Sequence, residues 1–105
     1  MLNGQNGDFT AAIADYTEAL RLQPRDEALL FNRANTHYVM GNFDRAIADF
    51  NELIQIDPRS SAGFVNRGEA YRRKGELDVA IADLDRAIAI KRKSPSAWFN
   101  RGITY

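Results

Sequence analysis

The chain has 105 residues, 45% of them hydrophobic and 27% charged, with 14 basic and 14 acidic side chains. That is enough apolar material for one core and too little chain for two domains, while the balanced charge argues against a nucleic-acid partner, whose phosphates call for a basic excess. Cysteine is absent, which excludes disulfides and thiolate metal sites, and no apolar run approaches the roughly 20 residues of a membrane-inserted helix.

In chain order, residues 1–7 have neither a basic start nor an apolar stretch, so they do not read as a signal peptide and localisation stays open. Residues 1–6 read as the tail of one helix, with Gly7 as its breaker and Asp8 as the cap of a helix over 9–23 that stops before Pro24. The next helix is expected over about 27–40, since Leu30, Ala34 and Tyr38 recur at helical spacing before Gly41. Asn42 is expected to cap the following helix. That helix carries Phe43, Ala46, Ile47, Phe50, Leu53 and Ile54 as the stripe of a buried face, and it stops at Asp57-Pro58. Gly75 ends another first helix in the same way. At the junction after it Arg92 replaces proline, and Ser94-Pro95 supplies a cap followed by proline in the first turn.

These features repeat. Ala12-Ile-Ala-Asp, Ala46-Ile-Ala-Asp and Ala80-Ile-Ala-Asp are each offset by 34 residues. So are Phe31-Asn-Arg, Val65-Asn-Arg and Phe99-Asn-Arg, and so are Gly7, Gly41 and Gly75. Three independent markers on one period define a helical-hairpin repeat, and hairpins of this size bury their apolar faces only by stacking.

The pattern resembles the tetratricopeptide repeat family, whose units begin W-x2-L-G-x2-Y and continue with A-x3-F, A and P. Trp98, Gly102 and Tyr105 match that opening, as do Phe64, Gly68 and Tyr71, and Ala46, Phe50 and Pro58 follow as the pattern expects. The intervals do not fit the related pentatricopeptide spacing, which is one residue longer. The resemblance implies an all-α, right-handed solenoid of antiparallel helix-turn-helix units. Two complete units, 27–60 and 61–94, would be flanked by a partial one over 1–26, mainly a second helix, and by a partial first helix over 95–105.

Two departures from the pattern are regular. Arginine fills the leucine slot at Arg33, Arg67 and Arg101, and aspartate recurs at Asp15, Asp49 and Asp83. A long arginine stem can cover apolar surface while its head meets a carboxylate, so Arg33 is expected to pair with Asp49 and Arg67 with Asp83 within a unit, or each with the adjacent unit's aspartate. His37, the only histidine, falls in the family's tyrosine slot and reads as a packed structural residue.

The resemblance further implies a concave groove lined by first helices. Its residues here would be Phe31, Asn32, Asn35, Tyr38 and Val39, then Val65, Asn66, Glu69, Arg72 and Arg73, then Phe99 and Asn100. The carboxamides of Asn32, Asn66 and Asn100 offer donor and acceptor together, which suits an extended peptide backbone. Relatives that clamp a terminal carboxylate have lysine one place before that asparagine, where Phe31, Val65 and Phe99 stand. The expected ligand is therefore an apolar extended or helical segment, with Arg72 and Arg73 adding a taste for acidic groups.

No phosphate loop, cofactor signature, metal-ligand spacing or catalytic constellation is present. A protein–protein interaction scaffold without enzymatic activity is the expected function, as a fragment of a longer array. Two alternatives stand beside it: a helper domain of a larger enzyme, and a self-associating repeat. Residues 1–60 hold five basic and nine acidic side chains, net −4, and residues 61–105 hold nine and five, net +4. Such asymmetry favours head-to-tail homotypic contact, with Trp98, Phe99, Ile103 and Tyr105 of one copy meeting Phe9, Ile13 and Tyr16 of another.

Overall fold

A computed structural model of the chain describes residues 2–93. Among them are five helices and no strand: α1 (Leu2–Leu22), α2 (Glu27–Val39), α3 (Phe43–Ile56), α4 (Ser61–Lys74) and α5 (Leu77–Lys93). Each helix packs against the next, and α2 also touches α4, so consecutive hairpins stack as in a helical-repeat solenoid.

Glycine sets the hairpin turns. Gly41 (φ 85°) and Gly75 (φ 91°) take the left-handed conformation that side chains resist. Around each, two backbone bonds close the preceding helix: Gly41 N–H to Tyr38 O and Asn42 N–H to His37 O, then Gly75 N–H to Arg72 O and Glu76 N–H to Tyr71 O. This is the Schellman arrangement, which satisfies carbonyls at the helix end.

Helix starts differ from expectation. Asn42 stands at the N-cap of α3 but its side chain makes no capping bond, its backbone (φ −87°, ψ 70°) lying outside the extended conformation of the two residues that do cap, Asp26 and Ser60. The caps that do form belong to Asp26, accepting from Leu29 N–H at 3.0 Å, and Ser60, accepting from Gly63 N–H at 3.0 Å. Nor does Gly7 break a helix, since α1 runs through it and through Asp8 without interruption. Glycine permits a reversal without compelling one, and at Gly41 and Gly75 the chain is turned back by two packed helices. At the third junction, where Arg92 stands in place of the proline, α5 continues to Lys93 and reaches 17 residues against 14 in α3.

The core is centred on Phe50 and Leu30, both essentially inaccessible, with Leu20, Ala34, Ala46 and Leu53 around them. Burying a side chain such as Phe50 contributes about 1.5–3 kcal/mol. Small residues mark the close crossings: Ala34, Ala46 and Ala70 are fully covered, and Ala80 and Ala87 nearly so. At Gly68 a methyl group would lie 3.2 Å from the Ala80 carbonyl oxygen and 3.2 Å from Asp83 Cβ. Glycine there lets α4 settle directly onto α5.

Candidate functional site

Two arginines tie the hairpins together. Arg33 on α2 donates from Nε and Nη2 to the two Asp49 carboxylate oxygens on α3, at 2.8 and 2.7 Å, and from Nη1 to Thr17 Oγ1 on α1 at 3.1 Å. Arg67 on α4 repeats this with Asp83 on α5, at 2.9 and 2.7 Å, and with Asn51 Oδ1 on α3 at 2.8 Å. The expected pairs are present, and the third bond reaches back to the preceding second helix. Hydrogen bonding to the aspartates raises both guanidinium pKa values above their ordinary level. Arg67 also lies over the Phe64 ring, its Cζ 5.3 Å from the centroid. Asp15, third in the aspartate series, is exposed on α1, and Arg101 lies outside the described residues.

His37 is buried in α2, and its Nδ1 has no hydrogen-bond partner. Burial pushes its pKa below the usual histidine range, against the pull of Asp49 and with the push of Arg33 and Arg45.

The furrow between α2 and α4 gathers most of the remaining candidates. Asn66 Nδ2 donates to Asn35 Oδ1 at 3.2 Å, and these two line a cleft of about 80 Å³ with Tyr38 and Glu69. That bond uses one Asn66 N–H and the Asn35 carbonyl, so the Asn35 NH2 group, the second Asn66 N–H and the Asn66 carbonyl keep hydrogen-bonding capacity beyond it. Towards the helix N-termini a wider, mostly apolar depression of about 290 Å³ is lined by Glu27, Ala28, Phe31, Asn32, Leu53, Ser60 and Ala62. The Phe31 ring is half-buried there, edge-on to Phe50 at 6.1 Å. Val65 is half-buried, and Asn32 and Val39 are exposed.

At the other end Arg72 is bonded to Glu69, an interaction that holds the Glu69 carboxyl below its ordinary pKa. Arg73 extends over two rings, its Cζ 5.9 Å from the centroid of Tyr38 and 5.6 Å from that of Phe43. Beyond it Lys74 bridges to Asp44 at 2.6 Å and Glu76 at 3.3 Å. Sequence reasoning placed Tyr38 and Arg73 in one groove but missed their stacking. The signal was available: position 73 stands 35 residues after 38, one beyond the repeat, which sets the two on neighbouring first helices.

Of the residues expected in an end-to-end contact, Phe9, Ile13 and Tyr16 are half-buried on α1. Trp98, Phe99, Ile103 and Tyr105, with Asn100 of the groove set, lie outside the described residues. Among the described residues no cluster of His, Cys, Asp and Glu is arranged for a metal ion, and no helix is long and apolar enough to cross a membrane.

The tetratricopeptide repeat family model matches residues 3–61 and again 31–97. The chain belongs to the tetratricopeptide repeat family. Its repeats generally mediate protein interaction rather than catalysis. Among curated proteins no sequence matches the chain. Among solved structures, a crystal structure of MamA superposes with TM-score 0.80 at 25% identity, covering 87% of this chain and 53% of MamA. This chain thus spans about half the length of that relative. A tetratricopeptide repeat protein from Parabacteroides merdae gives TM-score 0.77 at 26% identity, covering 94% of this chain and 39% of its own. The second tetratricopeptide domain of Spaghetti (RPAP3), solved bound to the HSP90 peptide SRMEEVD, gives 0.75 at 27% identity, covering 84% and 83%.

Proposed function

We propose that this chain is a non-enzymatic scaffold that binds a peptide segment of a partner protein in the furrow between α2 and α4. The observation that carries this reading is the Asn35–Asn66 pair in its cleft beside Tyr38. Two linked carboxamides present donors and an acceptor side by side, the pattern that one peptide group of an extended chain requires. Support also comes from the Spaghetti domain, a relative that is bound to a peptide.

Selection of binders from a random peptide display library tests the reading. Enriched peptides should lose binding when Asn35 and Asn66 are both replaced by alanine, and keep it when Ile81 on the outer face of α5 becomes glutamate. Peptides that bind equally well to the double alanine variant would overturn it.

A second reading, self-association or continuation of the array, is favoured by that outer face. Ile47 on α3 is 6% exposed beneath the next hairpin, whereas its repeat counterpart Ile81 on α5 is 57% exposed, with Leu77 and Ile88 beside it. An apolar stripe of this kind suits one more helix, from a longer array or from another copy. Sedimentation equilibrium distinguishes the cases: a wild-type dimer that Ile81→Glu returns to monomer would favour association between copies.

A further inference from the structure

We propose that Arg59 and Arg86 form a second binding site, outside the furrow, that takes a phosphate monoester carried on a serine or threonine of a partner protein. This goes beyond the furrow reading and stands independently of it.

Arg59 lies in the turn between α3 and α4, and Arg86 lies on α5. With Ala89 and Ile90 they line a cleft of about 60 Å³, and none of these four residues lines either part of the furrow. Both arginines are exposed, and neither has an ion-pair partner among the described residues. Each is nonetheless anchored. The Arg59 N–H donates to Asp57 Oδ1 at 3.1 Å and the Ser60 N–H to the Asp57 carbonyl at 3.1 Å, so the turn is tied at two points. Arg86 has its Cζ 6.0 Å from the centroid of Phe64, the ring that Arg67 also overlies. Arg67 is neutralised by Asp83, whereas Arg86 keeps its charge. Asp85 is next to it in the chain, but successive residues of a helix do not face each other.

The like-charged pair is particular to this junction. One repeat earlier, 34 residues back, Arg59 corresponds to Arg25 but Arg86 corresponds to Glu52, and in α1 the same place is held by Glu18. Opposite charges at equivalent positions thus become two cations here. From Arg86 to Tyr105 the sequence holds five basic side chains and no acidic one, so no later residue restores the balance. Two guanidiniums sharing a cleft repel each other, and an anion between them reverses that.

The number of charges selects the anion. A carboxylate or a phosphodiester has one charge and two free oxygens, which a single guanidinium fork satisfies. A phosphate monoester carries about −1.5 to −2 at neutral pH and offers three oxygens, enough for two forks. A cleft of about 60 Å³ admits the phosphate group and little more. The flanking residues of the partner then rest on Ala89 and Ile90, which are half-buried.

Nuclear magnetic resonance titration of the isotope-labelled chain, with the arginine Nε–H signals observed, tests the site. The probe is an end-capped Gly/Ser peptide with one phosphoserine beside one leucine. Comparison ligands are the same peptide with glutamate for phosphoserine, and inorganic phosphate. The phosphoserine peptide should move the Arg59 and Arg86 signals and bind about tenfold tighter than the glutamate peptide, roughly what one further hydrogen bond to a charged group contributes. Its affinity should fall as salt rises. Inorganic phosphate should compete but bind about tenfold more weakly, lacking the leucine contact. Arg86→Glu, which restores the residue type of the preceding repeat, should abolish the preference for phosphoserine while circular dichroism shows a folded protein. Arg59→Gln, in the exposed turn and away from Phe64, should do the same. The Asn35/Asn66 double alanine variant should keep the preference.

Equal affinity for the phosphoserine and glutamate peptides overturns the proposal, as does a preference that persists in Arg86→Glu and Arg59→Gln. Inorganic phosphate binding as tightly as the peptide overturns a partner protein as the source of the phosphate. If the phosphoserine peptide is released by the double alanine variant and not by Arg86→Glu, this site falls and the furrow reading stands. If library-selected peptides ignore the asparagines while the phosphoserine peptide still requires Arg86, the furrow reading falls and this site stands.

Discussion

Arg67 grips Asp83 through two parallel hydrogen bonds, at 2.9 and 2.7 Å, with only 6% of the aspartate side chain left exposed. A pair so well shielded is asymmetric in its consequences. Removing one partner strands the other charge, whereas replacing both with apolar groups of similar volume can be nearly neutral.

Asp83→Ala is therefore expected to lower stability by about 3 kcal/mol, read as a shift in urea midpoint with the slope unchanged. Adding Arg67→Met to that variant should recover much of the loss. Independent additivity of the two changes would show that the pair does not act as a unit.

The caps separate two residues that look alike in sequence. Ser60→Ala should cost about 1 kcal/mol, because it frees the Gly63 N–H. Asn42→Ala should stay within about 0.5 kcal/mol, since no capping bond is lost. Thermal melts of the two variants measured together suffice to compare them.

Gly75→Ala forces a methyl group into the left-handed region at φ 91° with nothing nearby to clash. The penalty is thus purely of backbone origin, about 1–2 kcal/mol. A melt unchanged from wild type would mean that the turn relaxes to another conformation.

His37 gives the fold a pH dependence. Its folded pKa lies below its ordinary value because burial disfavours the cation. The unfolded chain then binds more protons as pH falls below about 6.5, so stability is complete above that pH and declines as pH drops towards the folded pKa. Replacing His37 by phenylalanine should flatten the pH profile of the urea midpoint over that interval. A profile still equally steep in the variant would mean that His37 is not its source.

The 34-residue markers made the hairpins legible because they report backbone requirements: glycine at a left-handed turn, alanine at a close crossing, proline after a helix end. The Arg33–Asp49 and Arg67–Asp83 pairs were legible for a similar reason, since both partners keep their residue types at fixed spacing. The backward bond was not, because its acceptor changes from Thr17 to Asn51 and no letter repeats. Helix starts misled at Asn42 and Gly7, where residue type states what the backbone allows but neighbouring packing decides what it does. In the furrow, periodicity grouped Tyr38 with Arg73, yet only coordinates show the cation lying across its ring.

The backward bond has a consequence for cooperativity. Because each arginine is shared by its own hairpin and the one before it, a hairpin cannot open without also loosening its neighbour. Each such bond adds about 0.5–1.5 kcal/mol to the coupling between adjacent repeats, and stronger coupling makes such arrays melt in longer cooperative blocks. Amide hydrogens in α3 and α5, joined through Arg67, should accordingly exchange with similar opening free energies, and Arg67→Met should split them into a slow and a fast class.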